Sequence, residues 1–185
     1  YDRLVLRANW NYTWFGDSTA CGGLGTSHAD YLRDLFAKNT IRDMGDLAAR
    51  GRPVHVYLNG LYWGLYILAE RPDAGFAANH LGGDKEDYDI LRVSNGSSQV
   101  VPQTGDMGAW YNLFGLAATD LSLAENYQAI QQSLDVPAMI DYMLMVYLTG
   151  SRDAPTYLCH DSNPVPRNFY VIRPREPAGL VQFMA

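Results

Sequence analysis

The chain predicts an α+β fold, with strands and helices gathered into separate runs. Three features point to it. Pro53–Asp73 reads PVHVYLNGLYWGLYILAERPD, two apolar, aromatic strands around Asn59-Gly60, the strongest short hairpin signal. From Asp106 the apolar period becomes helical and stays so to Gly150. Strands then return at Phe169–Ile172 and Leu180–Met184.

The elements follow in order. Leu4–Arg7 is a short buried strand, and Asn9–Thr26, rich in Asn, Gly and Thr, is a loop. A helix is expected from about His28 to Met44, with Ser27 and Asp30 as a cap, Leu32, Leu35 and Phe36 on one face, and Gly45 as the stop. In the hairpin, Tyr57, Tyr62, Trp63 and Tyr66 are expected to pack in the core and across strands. Ala74–His80 is a short helix stopped by Gly82-Gly83, Tyr88–Val93 a strand, and Ser94–Gly105 a loop or linker. Leu123, Tyr127, Ile130 and Leu134 mark one amphipathic helix. Asp135 and Pro137 start another, with Met139, Ile140, Met143, Leu144 and Tyr147 buried. Ser151–Arg167 is a Pro-rich loop, and Pro174–Gly179 a turn between the last two strands.

The 185 residues, 48% hydrophobic and 18% charged, suit one globular domain. No apolar run approaches the ~20 residues of a membrane span. A net charge of −6 excludes sequence-independent nucleic-acid binding, which needs a basic footprint. An anionic ligand then needs a locally basic pocket or a divalent metal. Cys21 and Cys159 permit one disulfide but neither a disulfide scaffold nor a zinc site. His28, His55, His80 and His160 lack metal-ligand spacing, and Asp84–Asp89 reads as a solvated turn rather than a calcium loop. Asn11-Tyr12-Thr13 and Asn95-Gly96-Ser97 match the glycosylation sequon, too common to decide anything. The chain starts and stops inside apparent strands, so it reads as a fragment of a longer protein with further domains.

Phosphoryl-transfer enzymes of the protein-kinase type need an early strand cation, a helix to position it, a hairpin ending at a hinge, and an Asp loop after a helical lobe. They also need an Asn before a strand and a second Asp after the next one. This chain can be laid on that plan in order. Arg7 ends the first strand, the helix with Arg33 and Asp34 follows, and the hairpin reaches Glu70 at the hinge position. Ser151-Arg152-Asp153 follows the Met139–Leu148 helix, and Asn168 precedes Phe169-Tyr170-Val171. The second Asp would fall just after Ala185. A β-rich lobe over 1–93 and an incomplete helical lobe over 106–185 complete this reading.

VYLNGLYWGLYILAE resembles the signature hairpin of the spore-coat protein H (CotH) kinase family, Tyr-(Leu/Ile)-Asn-Gly-Glu-Tyr-Trp-Gly-Leu-Tyr-x-Leu-x-Glu. YLRDLFAKNTIRDMG is similar to the family's Leu-Arg-Asp helix, ERPDAGFAANHLGGDKEDYDIL to a segment of its bacterial members, and IDYMLMVYLTGSRDAP to the stretch bearing its Asp. The chain departs from the pattern at Leu61 (usually Glu), at Ala154 (often Trp), and in a longer Tyr157–Arg167 loop, where Asn163 competes with Asn168. The resemblance implies an atypical protein kinase that moves the γ-phosphoryl of ATP to protein Ser or Thr with Mg²⁺ or another divalent ion. Asp153 would be catalytic and Asn168 a metal ligand. Glu70 would sit at the nucleotide, with Arg7 and Arg33 near its phosphates. It favours an extracellular or cell-surface location. Two other readings stand beside it: an inactive adhesive surface module on the same scaffold, and a carbohydrate-binding domain, which would expose its aromatics on one face.

Overall fold

The structure is a computed structural model that describes residues 3–8, 31–94, 98–151, 154–157, 165–175 and 179–184. Asp153, Asn163, Cys21, Cys159, both sequons and the expected cap at Ser27 and Asp30 lie outside these residues. The chain is α+β with antiparallel sheets.

The first sheet has the order β1-β3-β2, with β1 Leu4–Arg7, β2 Gly51–Leu58 and β3 Leu61–Glu70. Asn59 (φ 49°) and Gly60 (φ 82°) make the turn with both central residues left-handed. That twist matches the strands and favours Asn-Gly. Irregular pairing between Val56 and Tyr57 sets Tyr57 opposite Tyr62. Their rings lie 5.3 Å apart, and Tyr62 Oη is 3.1 Å from His55 Nδ1. The cross-strand packing is present, but the expected burial is not. Tyr57 and Trp63 are each 62% exposed and Tyr62 55%, because the hairpin tip extends past the short β1.

Helix α1 (Arg33–Asp43) buries Leu35, Lys38 and Ile41; of the expected face Leu35 is buried, whereas Leu32 and Phe36 are exposed. Helix α2 (Ala74–Leu81) starts at Asp73, whose Oδ1 accepts the Phe76 N–H at 3.0 Å.

The second sheet has the order β5-β4-β8-β9: β4 Tyr88–Val93, β5 Val100–Thr104, β8 Tyr170–Pro174 and β9 Gln182–Met184. Strand β5 falls within the expected Ser94–Gly105 linker. Val100 and Val101 pair with Val93 and Arg92, and Pro102 is tolerated because β5 is an edge strand. Alternation along β4 and β8 buries both faces. Ile90 and Ile172 face Ala74, Phe76 and Ala77, whereas Leu91 and Val171 join a larger cluster with Leu113, Ile130, Tyr142 and Met145. Each fully buried Ile or Val contributes roughly 1.5–3 kcal/mol.

Helices α3 (Gly108–Ala117), α4 (Ala124–Gln131) and α5 (Val136–Thr149) supply that larger cluster. Asp135 caps α5 through the Ala138 N–H at 3.1 Å, and Gly150 (φ 61°) ends it. The buried stripe of α5 is Ala138, Tyr142 and Met145, and Met139 and Met143 pack partly buried against it; Ile140, Leu144 and Tyr147 face outward, contrary to the sequence expectation. Strands β6 (Thr156–Tyr157) and β7 (Val165–Pro166) pair inside the expected Pro-rich loop. No helix among the described residues is long and apolar enough to cross a membrane.

Two core groups generate predictions. The Tyr142 hydroxyl is buried without a hydrogen-bond partner, and burial pushes it above its ordinary value of 10.0. Tyr142→Phe removes an orphaned polar atom and should stabilise the protein by about 1 kcal/mol, a melting-temperature rise of roughly 2–4 °C in calorimetry. Asp46 is pushed above its ordinary 3.8 by burial first, then by the Asp141 and Asp135 carboxylates, and by a hydrogen bond with Asp141. A raised carboxyl favours the fold only while protonated. Its contribution is full below 3.8 and is lost as pH climbs through the folded value. Asp46→Asn should therefore raise the melting temperature at pH 7, and this gain should vanish as melts are repeated toward pH 4.

Candidate functional site

Arg7 is the last residue of β1, held opposite Ile67 of β3. Its Nη1 lies 3.5 Å from Asp34 Oδ1, in the first turn of α1. One turn on, Lys38 Nζ reaches Asp34 Oδ2 at 2.9 Å. A single carboxylate thus bridges a strand cation and a helix cation, leaving one positive charge uncompensated within the cluster. The Lys38 side chain is only 10% exposed, so its charge is held where water screens it weakly. Asp34 also sits in the first turn of α1, at the positive end of the helix dipole. Arg33 opens α1 one residue earlier and is exposed.

Glu70 ends β3 and is buried at 6% exposure. Its Oε2 accepts the Arg50 N–H at 2.7 Å, and its Oε1 meets His80 Nε2 at 3.0 Å. The His80 ring packs 4.3 Å from Phe76. Arg71 donates its N–H to the Arg3 carbonyl at 3.3 Å, and Asp73 caps α2 while facing Arg3 Nη1 at 3.6 Å. The Glu70-Arg71-Pro72-Asp73 segment is thus a joint between β1, β3, α2 and the segment leading into β2. Glu70 pairs with Leu4 and Arg7 with Ile67, so the two stand at opposite ends of one ladder. At ~3.4 Å per residue that is about 10 Å.

Asp153 lies outside the described residues, but its flanks do not. Ser151 donates its N–H to the Val146 carbonyl at 3.0 Å as the chain leaves α5. Thr156 pairs with Pro166 and Tyr157 with Val165, and Arg167 donates its N–H to the Pro155 carbonyl at 2.9 Å. The stretch after residue 153 therefore runs beside the stretch before residue 168. Asn168 is exposed and left-handed (φ 50°). The next residue, Phe169, is buried among Trp110 and Phe183, with ring centroids 6.3 and 5.5 Å away, and this anchors the start of β8. Among the described residues no three His, Cys, Asp or Glu side chains converge as a metal site.

Sequence reasoning singled out Arg7 and Arg33 but passed over Lys38. The available signal was the Asp34–Lys38 spacing of four, which stacks opposite charges on one helix face. It also passed over His80, whose contact with Glu70 crosses ten residues and depends on where α2 packs.

Arg7, tethered to Asp34 at the end of β1, and Asn168, just before β8, stand at strands of different sheets. The class of the chain comes from its family. The chain matches the family model described as CotH kinase protein over residues 26–178, and it belongs to that family. No curated protein matches the chain.

Glu70→Ala would strip the Arg50 N–H and the half-buried His80 imidazole of their carboxylate partner. It should destabilise the protein by about 1–3 kcal/mol, read as a lower urea midpoint at unchanged slope, and Glu70→Gln should recover part of the loss.

Proposed function

We propose that the chain carries out ATP-dependent phosphoryl transfer to Ser or Thr hydroxyls of a protein substrate. The observation that carries this reading is the Arg7–Asp34–Lys38 cluster, with its surplus positive charge held between a strand and a helix. Family membership supports it. In this proposal the β-rich lobe spans 1–93 and the helical lobe 106–185, joined through the pairing of β4 with β8.

Arg7, Lys38 and Arg33 would meet the phosphates. Asp34 fixes the Arg7 guanidinium, and arginine keeps its charge at any working pH. Glu70, fixed by Arg50 and His80, would set the end of β3 beside the nucleotide. Asp153 would accept a hydrogen bond from the substrate hydroxyl and aim its oxygen at the γ-phosphorus. The new O–P bond forms as the bond to the β,γ-bridging oxygen breaks. ADP leaves, and the hydroxyl proton passes to Asp153. The bond between Pro155 and Arg167 supports bringing Asp153 and Asn168 to one place. The amide oxygen of Asn168 suits a hard cation such as Mg²⁺. Asn168 would be one ligand of such a cation, whose charge would offset that of the phosphoryl group being transferred.

A second reading, a binding module on the same scaffold that has lost catalysis, is favoured by the exposed Tyr57, Tyr62 and Trp63 of the hairpin tip. Radiolabel transfer from ATP to a protein acceptor separates the two. Asp153→Ala should lower transfer by about 10²–10⁴-fold while stabilisation by Mg²⁺ and ATP in thermal melts persists. Transfer at the wild-type rate in that variant removes Asp153 from the mechanism. A wild-type chain whose melting point ignores Mg²⁺ and ATP sinks the enzyme reading altogether.

A further inference from the structure

Away from the cation cluster of β1 and α1, the first turn of α3, the residues just past α4 and the end of β8 enclose an open cavity of about 250 Å³. Asn112, Gln132, Ser133 and Arg173 line it, together with Gly108 and Ala109 at the start of α3. Sites for drug-sized ligands run to ~300–1,000 Å³, so this one suits a smaller molecule. The neighbouring pocket beside Asp89, about 10 Å³, has room for no more than a water.

The lining decides the sign of the ligand. Among the described residues it holds one cation, Arg173, and no acidic side chain, in a chain of net charge −6. The guanidinium of Arg173 is already oriented. Its Nη1 lies 3.1 Å from Asp89 Oδ2, and its Nε donates to the Gly179 carbonyl at 3.2 Å. A side chain fixed beforehand loses little freedom when a ligand arrives. Asp89, only 3% exposed, is also approached by Arg175 Nε at 3.4 Å. One carboxylate therefore faces two guanidinium groups, and it does not cancel both. Asn112 and Gln132 add amide donors. The start of α3 adds the positive end of its dipole, already shared with Asp106 Oδ1, which accepts the Gly108 N–H at 2.7 Å.

We propose that this cavity binds a compact oxyanion, a phosphate or carboxylate group on a small ligand. The site is separate from the proposed nucleotide site and does not depend on the kinase reading.

Thermal melts of the protein in sodium phosphate, sodium succinate and sodium chloride at equal ionic strength test it. Phosphate or succinate should raise the melting temperature in a saturable way, by roughly 3–5 °C at ten times Kd, and chloride should not. The better of the two identifies the group. The shift should disappear in the Asn112→Leu, Gln132→Leu double variant, whose two side chains are exposed and whose fold should survive. It should persist in Arg7→Gln, which alters only the other cation cluster. No shift beyond chloride, an undiminished shift in the double variant, or a shift lost in Arg7→Gln overturns the proposal.

Discussion

The antiparallel pairing of β4 with β8 is the constraint on which the rest of the structure depends. It joins segments some eighty residues apart and sets Ile90 beside Ile172 and Leu91 beside Val171. One pair closes the core under α2, and the other closes the core under α3, α4 and α5. The register is locked by charge as well as by packing. Asp89 lies directly opposite Arg173, and their buried ion pair spans 3.1 Å. Removing one partner of such a pair costs about 3–5 kcal/mol, because the other charge stays behind unpaired. A one-residue slip would also turn every apolar side chain to the wrong face. Gly105 belongs to the same lock. A Cβ there would collide with the Asp89 carboxylate, so only glycine lets the chain pass closely enough for the Asp106 N–H to reach Asp89.

Asn168 and Arg7, two residues of the proposed site, are held by different physics. Asn168 is held by burial: Phe169 sits among Trp110, Phe183 and the Leu113–Tyr142 cluster, and the exposed amide rides on that anchor. Arg7 is held by charge, since β1 is a four-residue edge strand with Leu4 and Leu6 exposed. An ion pair whose arginine is 55% exposed contributes little to stability, on the order of 0–1 kcal/mol. Its use is orientation. A guanidinium tethered by one carboxylate keeps its remaining donors in a fixed fork, the geometry that suits phosphate oxygens.

The hairpin was legible because its signal is local: Asn-Gly supplies two left-handed residues at the one place where the strands' twist requires them. The end of α2 and both boundaries of α5 were legible for the same reason, through Gly82, Asp135, Pro137 and Gly150. Burial was not. Leu32, Phe36, Ile140 and Leu144 satisfy a helical period, yet a period states only that a helix has an apolar face, not which face meets the core. Strand β5 was hidden by Pro102, which argues against a central strand and is harmless at an edge. Of the proposed site residues, the place of Arg7 at the end of β1 and of Asn168 before β8 could be read from chain order. Lys38 and His80 could not be ranked until the structure showed one buried against Asp34 and the other against Glu70.

Glu70 shows how a residue can be prominent in sequence for two reasons at once. It closes the hairpin motif and opens the charged turn, the position where a ligand wall is expected. Yet both of its carboxylate oxygens are engaged, by Arg50 and His80, at a depth where an unpaired carboxylate would be costly. A group so engaged acts on its surroundings by position. It ties the segment that leads into β2 to the helix that follows β3, and β3 in turn carries β1 and Arg7. A shift at Glu70 would therefore move the strand that carries Arg7, the cation proposed to meet phosphate, about 10 Å away along a single ladder.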